Sequence, residues 1–147
     1  MGRVINLEGA GKDRKRLTRE VVLALQELIH QSEPNSQARD LAAFIALNLE
    51  AIYQTIDLSV AAWEKRGYWV KADRFRLEWA WSERLARTLK DALLADNWSE
   101  VAVVAAQVGE KLSQVRLPEH HRLGTPWIGA WEKLKQKYKD HSVNRLP

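Results

Sequence analysis

The chain of 147 residues contains no cysteine. That excludes disulfides, thiolate metal sites and a cysteine nucleophile, and it fits a reducing, cytoplasmic compartment. Proline and glycine are sparse, at four and seven residues, as in a globular chain and unlike a low-complexity one. Long hydrophobic runs are missing too. The longest, Leu41–Leu47 and Val101–Ala106, fall well short of the ~20 residues that cross a bilayer. Met1 to Asn6 hold no apolar signal-peptide region. No stretch alternates with the period of a strand.

What is present is tryptophan. Trp63, Tyr68, Trp69, Phe75, Trp79 and Trp81 fall within nineteen residues and make up half of all the aromatics. Lys65, Arg66, Lys71, Arg74 and Arg76 are interleaved with them. Such a segment is either the packed centre of a helical core or a surface that grips a partner. The net charge is +4, unevenly spread. Residues 1–20 carry six Lys/Arg against three Asp/Glu, residues 21–62 one against five, and residues 116–147 seven against three. Basic ends either attract a polyanion or neutralise the acidic stretch between them.

Helical periodicity predicts five helices. The first runs from Arg14 to Gln31, with Leu17, Val21, Ala24, Leu25 and Leu28 on one face. Asn35 or Ser36 caps the second, which runs to Lys65 on a stripe of Leu41, Ile45, Leu49, Ile52, Ile56 and Trp63. Glu50, Asp57 and Glu64 recur on its opposite, solvated side. Beyond Gly67 the stripe becomes Tyr68, Ala72, Phe75, Trp79, Ala86, Leu89 and Leu93, rotated by roughly 140–160° at 100° per residue. A reversal with Gly67 in the left-handed position explains the jump. The third helix ends near Ala95. Asn97 and Glu100 form a variant capping box for a fourth, Trp98 to Gln114. Thr125-Pro126 starts the last, which ends near Tyr138 with Trp127, Trp131, Leu134 and Tyr138 on one face.

The expected fold is all-α: an antiparallel up-and-down bundle of four main helices, two of them long and central, plus a short C-terminal helix. Residues 1–13 read as a flexible basic arm, 14–139 as one domain and 140–147 as a tail. The turns near residues 34, 67 and 97 invite a repeat reading, and Gly67 to Ala72 resembles the turn of a tetratricopeptide hairpin. That repeat holds two helices in ~34 residues, whereas each interval here holds one.

Candidate chemical motifs are weak. Gly9-Ala10-Gly11-Lys12 lacks the strand, the further glycine and the Ser/Thr of a phosphate loop. Glu27 and His30 form a single Glu-x-x-His, where di-iron bundles need two and further inward glutamates. Glu119-His120-His121 is a solvated loop. Arg116 and His121 have the loose Arg-x4-His spacing that is similar to helical-bundle ribonucleases of the HEPN type. That resemblance would imply His121 in acid–base catalysis beside Arg116, but Pro118 interrupts the helix it needs. No catalytic set, metal site, cofactor or small-molecule substrate is expected.

The surfaces say more. The third helix has a second apolar stripe, Val70, Leu77, Trp81 and Leu85, with Arg74 inside it and Glu78 placed to pair with Arg74 at the rim. Either the last helix covers this stripe or a partner does, a second copy included. The leading expectation is a non-enzymatic protein-interaction or assembly module using this stripe and the C-terminal helix. The alternative is a nucleic-acid-associated protein using Arg14, Lys15, Arg16 and Arg19 with Lys133, Lys135, Lys137 and Lys139, provided that the two ends meet.

Overall fold

Asn35 accepts a hydrogen bond from the backbone N–H of Ala38 at 2.8 Å and so starts the longest helix of the chain. In the computed structural model, which describes the backbone of residues 9–144 and the side chains of residues 9–139, five helices pack together and no strand occurs among the described residues. They are α1 (Ala10–Ile29), α2 (Ser36–Lys65), α3 (Trp69–Leu94), α4 (Trp98–Lys111) and α5 (Ala130–Asn144). The protein is thus all-α, as its periodicity predicts.

Two reversals share one geometry. At the end of α2 the N–H of Gly67 reaches the carbonyl of Glu64 and that of Tyr68 reaches Trp63. Gly67 sits at φ +80°, the left-handed position that closes a helix. At the end of α3 the same pair of bonds runs from Asp96 to Leu93 and from Asn97 to Ala92, with Asp96 at φ 54°. Asp96 carries that conformation while its carboxylate accepts from Trp98 Nε1 at 2.7 Å and faces Arg39 at 3.6 Å. Asn97 then caps α4 by accepting from the N–H of Glu100.

The ends of the helices depart from the periodicity in three places. α1 begins at Ala10, so Ala10–Asp13 belong to a helix and not to the arm; the rest of the arm, residues 1–8, lies outside the described residues. α4 stops at Lys111. Thr125-Pro126 does not open the last helix: residues 126–129 are a turn, and α5 starts at Ala130 and runs on to Asn144, into the expected tail.

Helix α2 is the centre. α1, α3 and α5 all pack on it, while α4 packs on α3 and meets α1 over a short stretch. Enclosure on several sides explains why every residue from Leu41 to Ala46 is buried. By length and composition α2 could cross a bilayer, but most of its apolar stretch is spent on its neighbours. α1 runs back along α2: Asn48 Nδ2 donates to the carbonyl of Leu17 and to Glu20 Oε1, and Arg14 reaches Thr55 and Ser59. Among the described residues no buried side-chain nitrogen or oxygen lacks a partner.

α1 is ten residues shorter than α2 and α4 twelve shorter than α3, differences of about 15 and 18 Å at 1.5 Å per residue. The α2–α3 hairpin therefore extends past both. Its end has a small core of its own, Ile56, Val60 and Ala72, walled by Tyr53, Trp63, Phe75 and Trp79. Trp63 and Phe75 meet edge to face at 4.9 Å. Arg14 lies over the Phe75 ring at 4.8 Å.

Candidate functional site

The second stripe of α3 is cut in two. Trp81 and Leu85, expected on the interaction surface, are buried, Trp81 at 8% exposure. Both belong to the main core cluster with Val104, Val108 and Leu112 of the α4 segment. α4 packs on α3, while the last helix packs mainly on α2 and meets α3 where Lys90 lies over the Tyr138 ring at 5.8 Å. Trp79 stacks on Trp81 at 5.8 Å and passes the cluster on toward the hairpin end. On the other half, beyond the reach of α4, Val70 is 69% and Leu77 78% exposed, and Arg74 is exposed with them. Tyr68, expected in the core, and Trp69 are exposed as well, at 54% and 59%. The rim pair does not form between Arg74 and Glu78. Arg76 makes the ion pairs here, with Glu64 at 3.3 Å and Asp73 at 2.9 Å.

Between α2 and α3 on this end lies a titratable cluster. Burial, then the charges of Asp57 and Glu83, push the Tyr53 hydroxyl up. Burial and then Glu83 raise the Asp57 carboxyl, with Arg76 opposing. The hydrogen bond that Arg76 donates to Glu64 raises its guanidinium, with burial opposing and the charges of Glu64 and Asp73 adding to the rise. These groups form an ion network across two helices, and nothing in it gathers around a recess.

A recess does exist at the opposite end of α2. Where α1 and α4 diverge they leave an open apolar groove of about 650 Å³. One wall is Leu25, Leu28 and Ile29 of α1, with Ile29 at 78% exposure. The other is Ala102, Ala105, Ala106 and Gly109 of α4. These recur at i, i+3, i+4 and i+7, one face of a helix. Their side chains are too small to bridge to α1, which is why the space stays open. Trp98 and the Gln31–Pro34 turn close its end. The sequence reading missed this site; its signal was the row of small residues beside the core stripe of α4.

The basic ends are partly spent internally. Arg14 is half-buried between α2 and α3, and burial holds its guanidinium below the usual arginine value. Arg16 pairs with Asp13 at 3.2 Å and Glu20 at 3.5 Å. Lys137 pairs with Glu50 of α2 at 2.6 Å, and Lys135 with Glu132 at 2.8 Å. Glu50 and Glu64 thus serve as ion-pair partners within the fold and not as plain solvated charges. Lys15, Lys133 and Lys139 are exposed and Arg19 is half-buried. Lys137 reaches Glu50 at the middle of α2 and Arg14 reaches Thr55 and Ser59 roughly one to three turns further on. The α2 residues they touch, Thr55, Ser59 and Glu50, are separated by roughly 140–180° around that helix at 100° per residue.

α5 keeps its apolar side for the core: Trp127 ahead of it, Ala130 and Leu134 are buried. Its start is held by Asp40 of α2, whose carboxylate accepts from the N–H of Gly129 at 3.2 Å and of Trp131 at 2.9 Å. A carboxylate there meets both the unpaired amides and the positive end of the helix.

Arg116 and His121 fall in the loop between α4 and α5, both exposed and neither on a helix. Nδ1 of His121 accepts from the N–H of Leu123 at 3.4 Å. Among the described residues no three His, Asp or Glu gather in a set that could hold a metal ion. Compared with protein-family models, curated proteins and solved structures, the chain finds no match in any of the three.

Proposed function

We propose that the protein is a non-enzymatic interaction module that takes an amphipathic helix of a partner protein into the α1–α4 groove. The carrying observation is the groove itself: open, apolar and walled on the α4 side by Ala102, Ala105, Ala106 and Gly109. Small residues let a second backbone approach closely, and the exposed Ile29 offers an anchor at the rim. The reading takes the four main helices as an up-and-down antiparallel bundle, favoured by the short connections between them. A photo-crosslinking residue at Ile29 should capture a partner protein in cells, and Ala106→Trp, which fills the groove from an exposed position, should abolish capture. A folded variant that captures no protein from Ile29 removes the reading.

Two competitors remain distinct. Self-association through Val70 and Leu77 requires a dimer mass in light scattering, and a strict monomer at high concentration eliminates it. Nucleic-acid binding through the basic ends rests on the exposed Lys15, Lys133 and Lys139, since Arg14 and Lys137 are engaged on opposite sides of α2. It requires retention of random DNA or RNA that weakens steeply with salt; no retention at low salt ends it.

A further inference from the structure

We propose that the projecting end of the α2–α3 hairpin docks on an anionic phospholipid surface. Three observations converge there. Tyr68, Trp69, Val70 and Leu77 are more than half exposed, at an end of the hairpin that α1 touches through Arg14. Cations surround them. Lys65, Arg66 and Arg74 have no carboxylate partner among the described residues, and Lys71 lies over the Trp63 ring at 4.5 Å. Of the nearby carboxylates, Glu64 and Asp73 are held by Arg76, and Glu78 beside Leu77 is an exposed acid among the cations Lys65, Arg66, Lys71 and Arg74. The surface thus offers apolar rings, aliphatic side chains and free positive charge together.

That combination matches the chemistry of a bilayer interface. Trp and Tyr rings settle at the headgroup level, and aliphatic side chains enter the acyl boundary. Lysine and arginine reach outward to lipid phosphates on flexible stems. A nucleic acid would use the rings and the cations but has no use for the exposed aliphatic side chains of Val70 and Leu77. The groove for a partner helix involves Ala38 near the start of α2, while this surface lies at the end of that 30-residue helix, about 40 Å away. The proposal therefore stands apart from the groove reading.

Co-sedimentation of the full chain with vesicles tests it, using phosphatidylcholine alone and phosphatidylcholine with phosphatidylserine, at low and physiological salt. The wild type should pellet with the anionic vesicles and weakly or not at all with the neutral ones. Lys65→Gln with Arg66→Gln should lower the partition coefficient about 25-fold, about five-fold per cation. Trp69→Ser with Val70→Ser should lower it about ten-fold or more. All four side chains are exposed, so thermal unfolding should be unchanged. Absence of wild-type binding to anionic vesicles at low salt overturns the proposal. So does binding that both double variants leave intact, which would move it to the basic ends. Single-stranded DNA retention, or a dimer, lost in these variants without any vesicle binding would reassign the surface.

Discussion

Leu77 and Trp81 stand one turn apart on the same side of α3, and only one of them has a neighbour helix over it. The difference is the length of α4. Trp81→Ala should cost about 3–5 kcal/mol, since it empties a filled site in the main core. Leu77→Ala should stay within about 0.5 kcal/mol, because its side chain is already in solvent. Urea unfolding of the two variants measures the contrast, and similar costs would mean that the cover ends elsewhere. Asp57 shows the opposite kind of residue effect. Its folded carboxyl is raised, by burial first and Glu83 next, so the folded state binds the proton more tightly than the unfolded chain does. Stability from this group falls as pH rises from the ordinary aspartate pKa of about 3.9 through the raised value, and stays lower above it. Asp57→Asn should therefore raise stability at neutral pH and flatten the pH profile in that window. Because the group is largely exposed, the gain should be at most a few tenths of a kcal/mol. Thermal unfolding from acid to neutral pH measures both; a loss of stability at neutral pH contradicts the assignment.

Among the elements, those whose ends are written locally were legible. Asn35, Gly67 and Asn97 are caps that act on residues within five positions, and α2, α3 and the start of α4 follow from them. α5 was misplaced because its cap is not local. Thr125-Pro126 looks like a start, but the acceptor for the first amides is Asp40, 91 residues from Trp131. Asp40→Ala should cost about 1–2 kcal/mol, the range of a lost helix cap, and Asp40→Asn less, since an amide oxygen still accepts. The urea midpoint reports the loss, and the backbone amide shifts of Gly129 and Trp131 should report its location. A loss without change at those amides would mean that Asp40 acts through something else.

At the scale of the whole molecule, periodicity carried the helix content and the core stripes, because each depends on one face of one helix. The choice of neighbour was not readable. Trp81 and Leu85 carry the same pattern whether α4, α5 or another protein lies over them, and only the packing of α4 decided it. The groove was half-legible: Ala102, Ala105, Ala106 and Gly109 show where bulk is missing, but not that α1 fails to fill the gap.

The overhang of the α2–α3 hairpin has a consequence for how the molecule comes apart. Its small core joins two helices, with Arg14 as an outlying clamp, whereas the main core draws on α1 to α5. The overhang should open on its own at a fraction of the global unfolding energy. Within α2 and α3, Lys65, Arg66, Lys71 and Arg74 then become the first trypsin sites, while Lys90 stays protected until the whole protein unfolds. Amide exchange should divide α2 and α3 along their lengths, fast between about residues 60 and 78 and slow from Leu41 to Ile52 and from Leu85 to Leu93. Uniform exchange along both helices would show instead that the overhang and the bundle are one cooperative unit.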